Sequence, residues 1–525
     1  MSFGLLRNMS TLTKTPPIIV IAPYPTVGLL RRPDLCFWIA GIFIYGLTAA
    51  NFTTGHFLDQ TSRDLWQHIA ALRALIADPF HPSNPFIPTG DGSRHFNPYW
   101  VIVALIARAF GLNEWQAIAG AAFFSAFVLL LGIHTFGRTF YRSAWGPMAL
   151  LLAMVFSWSL PVSHTGYHSI GTFLEGFAYP AALLVGLSLL LWAFVLKALA
   201  RPLSALVLVP LSAFMMATHQ LGAVIGFLGA GCFIALWPRG RRSSRMVSAG
   251  SIAAGVLLAE AWPYHSPIGA ILQTGNPSWT GGVNFYSPMM LIEAFVPSLI
   301  GIWGLRHRYY RRRGLPVVAA VLLFTGLFMF GLFGVLTATR FIMPAVLMLQ
   351  IGVGALLLTL AKDWNALPER RKLALFTLAC FCVSIQVAAS FFYLNEERIS
   401  NRISGSAYDA ALALTRDVPD SEPIGAYDVA AWPIVSTGQR VVSVPWPEPE
   451  IPSLVERQAA VERLFDPALS RQQRLQLARH WGVKSLIMDK DGPLRRPMPK
   501  RILEVLGKQS VRRSEAGIFI RFDLE

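Results

Sequence analysis

The chain has 525 residues, 54% of them hydrophobic and only 14% charged, with a net charge of +16. That apolar excess excludes an ordinary soluble protein and places most of the chain in lipid. The positive charge would suit nucleic acid in a soluble protein, but it falls in short clusters between apolar runs, which excludes a nucleic-acid partner in favour of membrane topology.

Residues 1–33, interrupted by Pro16, Pro17, Pro23 and Pro25, read as a basic cytoplasmic tail without a cleavable signal. Beyond them, apolar runs of roughly 16 to 23 residues recur, each able to cross about 30 Å of hydrocarbon at 1.5 Å per residue. Spans are predicted at 34–50, 115–136, 145–162, 176–196, 203–218, 220–237, 247–262, 288–305, 315–335, 341–361 and 373–394. With the N-terminus inside, these spans leave every basic cluster in a cytoplasmic loop: Arg138 and Arg142; Lys197 and Arg201; Arg239 to Arg245; Arg306 to Arg313; Lys362 and Arg370 to Lys372.

The same alternation leaves a long first loop over 51–114, the loops 161–175 and 263–287, the turn 337–340 and the tail outside. The apolar run Tyr99 to Phe110 is read as an interfacial helix within the first outer loop, because one more span would invert every later charge cluster. The four cysteines, Cys36, Cys232, Cys380 and Cys382, lie in predicted spans and read as small packing residues. The expected fold is an all-α polytopic membrane domain of about eleven transmembrane helices over 34–394. A soluble α/β domain over 395–525 follows, where strand-like segments such as EPIGAYDVAAWPIVSTGQRVVSV alternate with helical ones.

Chemistry gathers on the outer face. Eight of the 11 histidines lie in or beside outer loops: His56, His68, His81, His95, His164, His168, His219 and His265. Asp59, Asp64, Asp78, Asp91 and Glu175 lie there too, with Glu260 and Glu293 at outer span ends, and ionisable groups near span ends mark a cavity or site. From Ser62 the first loop reads as an amphipathic helix. Ser62 caps it, Asp64 is in its first turn, and Leu65, Ile69, Leu72 and Ile76 form an apolar face. Asp64 and His68 are four apart and share a face, a spacing equally met by a helix-start acid beside an interfacial histidine.

Four features therefore stand out: the acidic amphipathic helix RDLWQHIAALRALI, the outer loop LPVSHTGYHSIGTFLEGFAYP with Glu175 as its one acid, the late turn TATRFIMPAVLMLQ with Arg340 as its one base, and the outer α/β tail. Together they resemble the GT-C fold glycosyltransferases, multi-spanning enzymes that use polyprenyl-phosphate-linked sugars, such as protein O-mannosyltransferases and lipid A aminoarabinose transferases. Where members often carry Asp-Glu followed by a tyrosine, this chain has Asp64-Leu65 with His68 near the tyrosine position.

The resemblance implies inverting transfer of a sugar from a polyprenyl-phosphate donor to a glycan, lipid or protein acceptor on the outer face. It implies Asp64 as general base, with Asp59 the competing candidate, and Arg340 and His219 on the donor phosphate. Glu175, His68 and Trp279 would contact the acceptor. A divalent cation, Mg2+ or Mn2+, held by Asp64 and Glu175 is the alternative to a metal-free site. A bacterial inner membrane with a periplasmic C-terminal domain is the expected setting, and the competing functions are a lipid-linked saccharide flippase and a non-catalytic assembly protein. Trp262 reads as an interfacial anchor.

Overall fold

In the computed structural model the chain is described over residues 32–53, 63–88, 92–157, 177–273, 291–292, 295–307, 309–445, 448, 451–490 and 500–525. Its N-terminal part is helical: α1 (Pro33–Thr53), α2 (Arg63–Ala77), α3 (Pro98–Phe110), α4 (Glu114–Tyr141), α5 (Gly146–Phe156), α6 (Pro180–Ala200), α7 (Leu208–Thr218), α8 (Gln220–Leu236), α9 (Arg242–Ala259), α10 (Pro267–Gln273), α11 (Gly301–Arg306), α12 (Arg311–Met329) and α13 (Ile342–Asp363). Helical segments overlap the positions of the expected spans, the last on α14 (Glu369–Thr415), with the third, fourth and eighth described only in part. Among the described residues, five helices are long and apolar enough to cross a membrane: Glu114–Tyr141, Pro180–Ala200, Arg311–Phe333, Ala338–Ala366 and Glu369–Ala388. Shorter apolar helices, including Gly146–Phe156, Pro202–Thr218 and Gln220–Leu236, complete the bundle.

Local chemistry fixes the helix ends in the first outer loop. Asn97 accepts a hydrogen bond from Trp100 N at 3.1 Å, Pro98 occupies the first turn, and Gly111 closes α3 with a φ of 65°. Asn113 and Gln116 form a reciprocal capping box at the start of α4. At 13 residues α3 is about 20 Å long, short of the hydrocarbon thickness.

The C-terminal part is a small α/β unit. Its sheet has the order β1-β2-β4-β3, with β1 (Gly425–Ala426) parallel to β2 (Ser485–Asp489), and β4 (Phe519–Asp523) antiparallel to both β2 and β3 (Arg512–Ala516). Helices α15 (Ala431–Ser436), α16 (Leu454–Leu464) and α17 (Arg471–His480) lie between β1 and β2, and α18 (Lys500–Gln509) precedes β3. Leu464, Leu486, Leu506, Ile520 and Phe522 form its own core. The hydropathy break near residue 395 is not a break in the backbone, because the 47-residue α14 runs through it. The first half of α14 exposes Leu373, Phe376 and Phe381, whereas Ala407, Ala411 and Leu414 near its end are buried.

The amphipathic helix α2 joins the two parts. Leu65, Ile69 and Leu72 are buried and share one core with α3 on one side and with Trp432 and Val435 of α15 on the other. Phe86 meets the Trp432 ring edge-on at 5.7 Å, and its carbonyl accepts from Val441 N at 2.8 Å.

Within the bundle α4 and α6 pack at the backbone. A Cβ at Gly132 would stand 2.5 Å from Gly186 O, and one at Gly186 would stand 2.7 Å from Leu129 N. Gly132→Val should therefore drive the helices apart and cost about 1–3 kcal/mol, read as a lower thermal midpoint of the purified chain. Gly120→Val on the same helix, where a Cβ meets open space, should leave the midpoint unchanged.

Candidate functional site

A groove with about 630 Å³ of empty space, part of it open to solvent, lies between α6, α8 and α13. Leu184, Val185, Trp192, Ile225 and Leu347 make its walls apolar, and His219 and Arg340 are the ionisable residues of its described lining. Both stand at one end, because His219 immediately precedes α8 and Arg340 lies in the short turn before α13. The N-terminus of α6 is at that end too, where Ala181 lines the groove. From Ala181 to Trp192 the groove follows α6 for about 17 Å. Three helix N-termini and two basic side chains thus meet at the mouth of an apolar channel, an arrangement that attracts an anion carrying a hydrocarbon tail.

His219 breaks the chain between α7 and α8 with an extended backbone and caps α8, its Nδ1 accepting from Gly222 N at 3.0 Å. With Nδ1 so engaged, the neutral ring carries its proton on Nε2. Gly222 makes room for this cap and for α6, since a Cβ there would stand 3.1 Å from His219 Nδ1 and 2.9 Å from Leu184 Cβ.

Next to the mouth is a second polar cluster, built from the first outer loop, the loop after α9 and the C-terminal domain. Glu448 is buried, and its Oε1 takes the Arg94 guanidinium at 2.9 Å and His95 Nε2 at 3.1 Å. Trp100 Nε1 donates to His68 Nδ1 at 3.1 Å, and His68 contacts the rings of His95 at 5.3 Å and Tyr179 at 5.6 Å. Gln220, the neighbour of His219, lies 3.1 Å from His265 Nε2. Trp262 Nε1 donates to Phe96 O at 2.7 Å, which ties the loop after α9 to the first outer loop.

The electrostatics follow from this crowding. Burial above all, and then the charge of Arg94 and the coupling to His95 and His219 whenever those rings are protonated, push His68 well below the usual histidine range. Burial, with the His95 charge, takes His265 down to about 4. For Glu448 burial raises the carboxyl, but Arg94 and His95 outweigh it and hold the group below its ordinary value.

Of the residues singled out in the sequence, the structure brings Arg340 and His219 together in one groove, with His68 close enough to His219 for the two rings to be electrostatically coupled. Asp64 is the second residue of α2, on the helix that carries His68, and its side chain lies outside the described residues, as do Asp59, Glu175 and Trp279 entirely. Among the described residues no group of three His, Cys, Asp or Glu side chains is placed to hold a metal ion. Trp262, expected as an interfacial anchor, hydrogen-bonds the Phe96 carbonyl. Sequence reasoning passed over Arg94 and Glu448. A signal existed for Arg94, a cation in an outer loop against the positive-inside trend. Glu448 sits far away in the segment WPEPE, where only the fold reveals its partners.

This arrangement of helices, long first loop and C-terminal α/β unit is the GT-C fold, the fold of a class of membrane glycosyltransferases. The chain is similar to ArnT from Cupriavidus metallidurans, solved with undecaprenyl phosphate bound, with a TM-score of 0.55 and 14% identity over 93% of this chain and 98% of that one. It is also similar to the Archaeoglobus fulgidus oligosaccharyltransferase, with a TM-score of 0.51 and 12% identity over 88% of this chain and 70% of that one. Arabinofuranosyltransferase AftD from Mycobacteria gives 0.55 and 14%, over 92% of this chain but 40% of that one. At these identities the likeness is one of fold. No protein-family model matches the chain, and no curated protein is similar to it in sequence.

Two outcomes are expected of this cluster. Because the folded values of His68 and His265 lie below the unfolded value near 6.5, the unfolded chain binds more protons below that pH. Stability should fall as pH drops from 7 toward 5, and His265→Gln should flatten that decline in a thermal-midpoint series. Glu448→Ala, which strands Arg94 and His95 in a buried site, should cost about 3–5 kcal/mol, seen as early tryptic release of the C-terminal domain on heating.

Proposed function

We propose that the chain is a membrane glycosyltransferase that moves a sugar from a polyprenyl-phosphate donor to a glycan, lipid or protein acceptor at the outer face of a bacterial inner membrane. The observation that carries this reading is the apolar groove ending on His219 and Arg340. An isoprenoid tail fits the leucine-rich walls, and a phosphate fits the cationic mouth. Arg340 offers paired N–H donors to phosphate oxygens, and the His219 Nε2–H adds another. The undecaprenyl phosphate bound to ArnT in its structure supports the same class of donor here.

In the reaction, an acceptor hydroxyl or amide attacks the anomeric carbon, the bond from that carbon to the phosphate oxygen breaks, and configuration inverts. The attacking group gives its proton to a carboxylate, which we assign to Asp64, with Asp59 as the alternative. Negative charge grows on the departing phosphate, so Arg340 and the helix N-termini stabilise the transition state more than the ground state. His68 lies one helical turn from Asp64 and, being neutral, offers a hydrogen-bonding ring to the acceptor; Glu175 and Trp279 are the other acceptor contacts we assign. The Archaeoglobus enzyme has been solved with Zn and sulfate. The carboxylates that would hold a cation here are Asp64 and Glu175, and no step above requires one.

The test is twofold. Arg340→Ala should weaken binding of undecaprenyl phosphate by about 10- to 100-fold while leaving undecaprenol unaffected, as loss of a charged hydrogen bond predicts. Asp64→Asn should lower release of polyprenyl phosphate from sugar-loaded donors by about 10² to 10⁴-fold without weakening donor binding. Wild-type turnover by Asp64→Asn, with loss in Asp59→Asn, moves the base to Asp59. Equal binding of the phosphate and the alcohol by wild type removes the donor site altogether.

A further inference from the structure

At the ends of α4, α8 and α12 opposite the groove mouth, three chain segments meet on an aromatic cluster. The Phe140 and Trp237 rings lie 6.1 Å apart and those of Tyr141 and Tyr310 lie 5.9 Å apart, while Phe140 meets Tyr141 edge-on at 5.0 Å. Three of these aromatics have an arginine two or three residues further along: Arg142 after Phe140, Arg239 after Trp237, Arg313 after Tyr310. The packing therefore draws three guanidiniums together from three helices. Arg313 Nη1 reaches Phe140 O at 3.5 Å, and Arg142 and Arg313 each lie within the field of Arg239. Lys362 adds a fourth cation, 4.6 Å over the Tyr309 ring and 5.9 Å over that of Tyr310.

Like charges repel, so such a convergence is unfavourable unless an anion is present. No ion pair among the described residues involves Arg142, Arg239, Arg313 or Lys362. A second observation points the same way. Tyr310 is 2% exposed, and its buried hydroxyl, next to Arg313, has no hydrogen-bond partner among the described residues. Guanidiniums in a fork geometry with a hydroxyl donor suit the tetrahedral oxygens of a phosphate. Arg142 and Arg239 are exposed at the helix ends, where lipid headgroups lie.

We propose that Arg142, Arg239, Arg313 and the Tyr310 hydroxyl form a phosphate-binding site on this face, separate from the donor groove and filled in the bilayer by an anionic phospholipid headgroup. The site requires nothing of the catalytic reading. It holds the starts and ends of α4, α8 and α12 in register by neutralising them together.

The full chain in nanodiscs of phosphatidylcholine, titrated with phosphatidylglycerol, tests this. Wild type should gain thermal midpoint saturably. Arg142→Gln with Arg239→Gln should need on the order of 30-fold more phosphatidylglycerol for the same gain, at about 1 kcal/mol per basic residue. Arg370→Gln with Arg371→Gln, an equal charge loss within another basic cluster, should behave as wild type, and Tyr310→Phe should weaken the effect without removing charge. If the two double variants respond alike, the effect is general surface charge and the site is overturned. An unchanged response in Arg142→Gln with Arg239→Gln overturns it too. Inorganic phosphate is added to the detergent-purified chain as a second arm. Saturation there with the same arginine dependence supports the anion site but overturns the headgroup as its occupant.

Discussion

The docking of the C-terminal domain on the first loop depends on one buried carboxylate. Glu448 stands 1% exposed between Arg94 and His95, with one oxygen serving both. A buried ion is costly unless paired, and removing either partner leaves an unpaired charge in a poor solvent. The C-terminal domain therefore does not merely rest on the first outer loop. Its acid and that loop's bases require each other, and the apolar face of α2 is buried by the same docking. Every distance in the second cluster, from His68 to His265, is measured within the frame that this contact holds.

The groove depends on a different constraint, the close packing of helices. Gly132 and Gly186 bring the backbones of α4 and α6 together, and Gly222 lets His219 turn back over its own helix. Helices α6, α8 and α13 each bring first-turn residues to the lining of the groove, so their positive dipole ends converge there. The cationic mouth is thus partly backbone, and the two side chains complete it. The likeness to ArnT and to the oligosaccharyltransferase, at 14% and 12% identity, shows how far sequences diverge while this helix arrangement persists.

Much of this was legible in the residues. Long apolar runs required helices, and the 3.6-residue period of Leu65, Ile69 and Leu72 required a buried face on α2. Arg340 and His219 stood out because each was polar at a span end, and the structure brings them to the same groove. What burial partners α2 would find was not legible. Periodicity gives a face but no partner, and Trp432 and Val435 lie more than 350 residues further along the chain. Glu448 was invisible for the same reason, since a carboxylate between prolines looks like any surface acid until Arg94 is beside it. The hydropathy break near 395 was real in composition yet misleading about the backbone, because a helix continues through a change of solvent if its backbone bonds remain satisfied.

That continuous helix has a mechanical consequence. At 47 residues α14 is about 70 Å long, apolar and exposed at one end and built into the C-terminal domain at the other. A helix is stiff along its axis and against twist, so the two ends share their rotations. Thickening or thinning of the surrounding bilayer, which tilts the exposed half, is felt directly at Ala407 and Leu414. The domain packed on the first loop is in this way joined by one continuous helix to the exposed apolar end of α14.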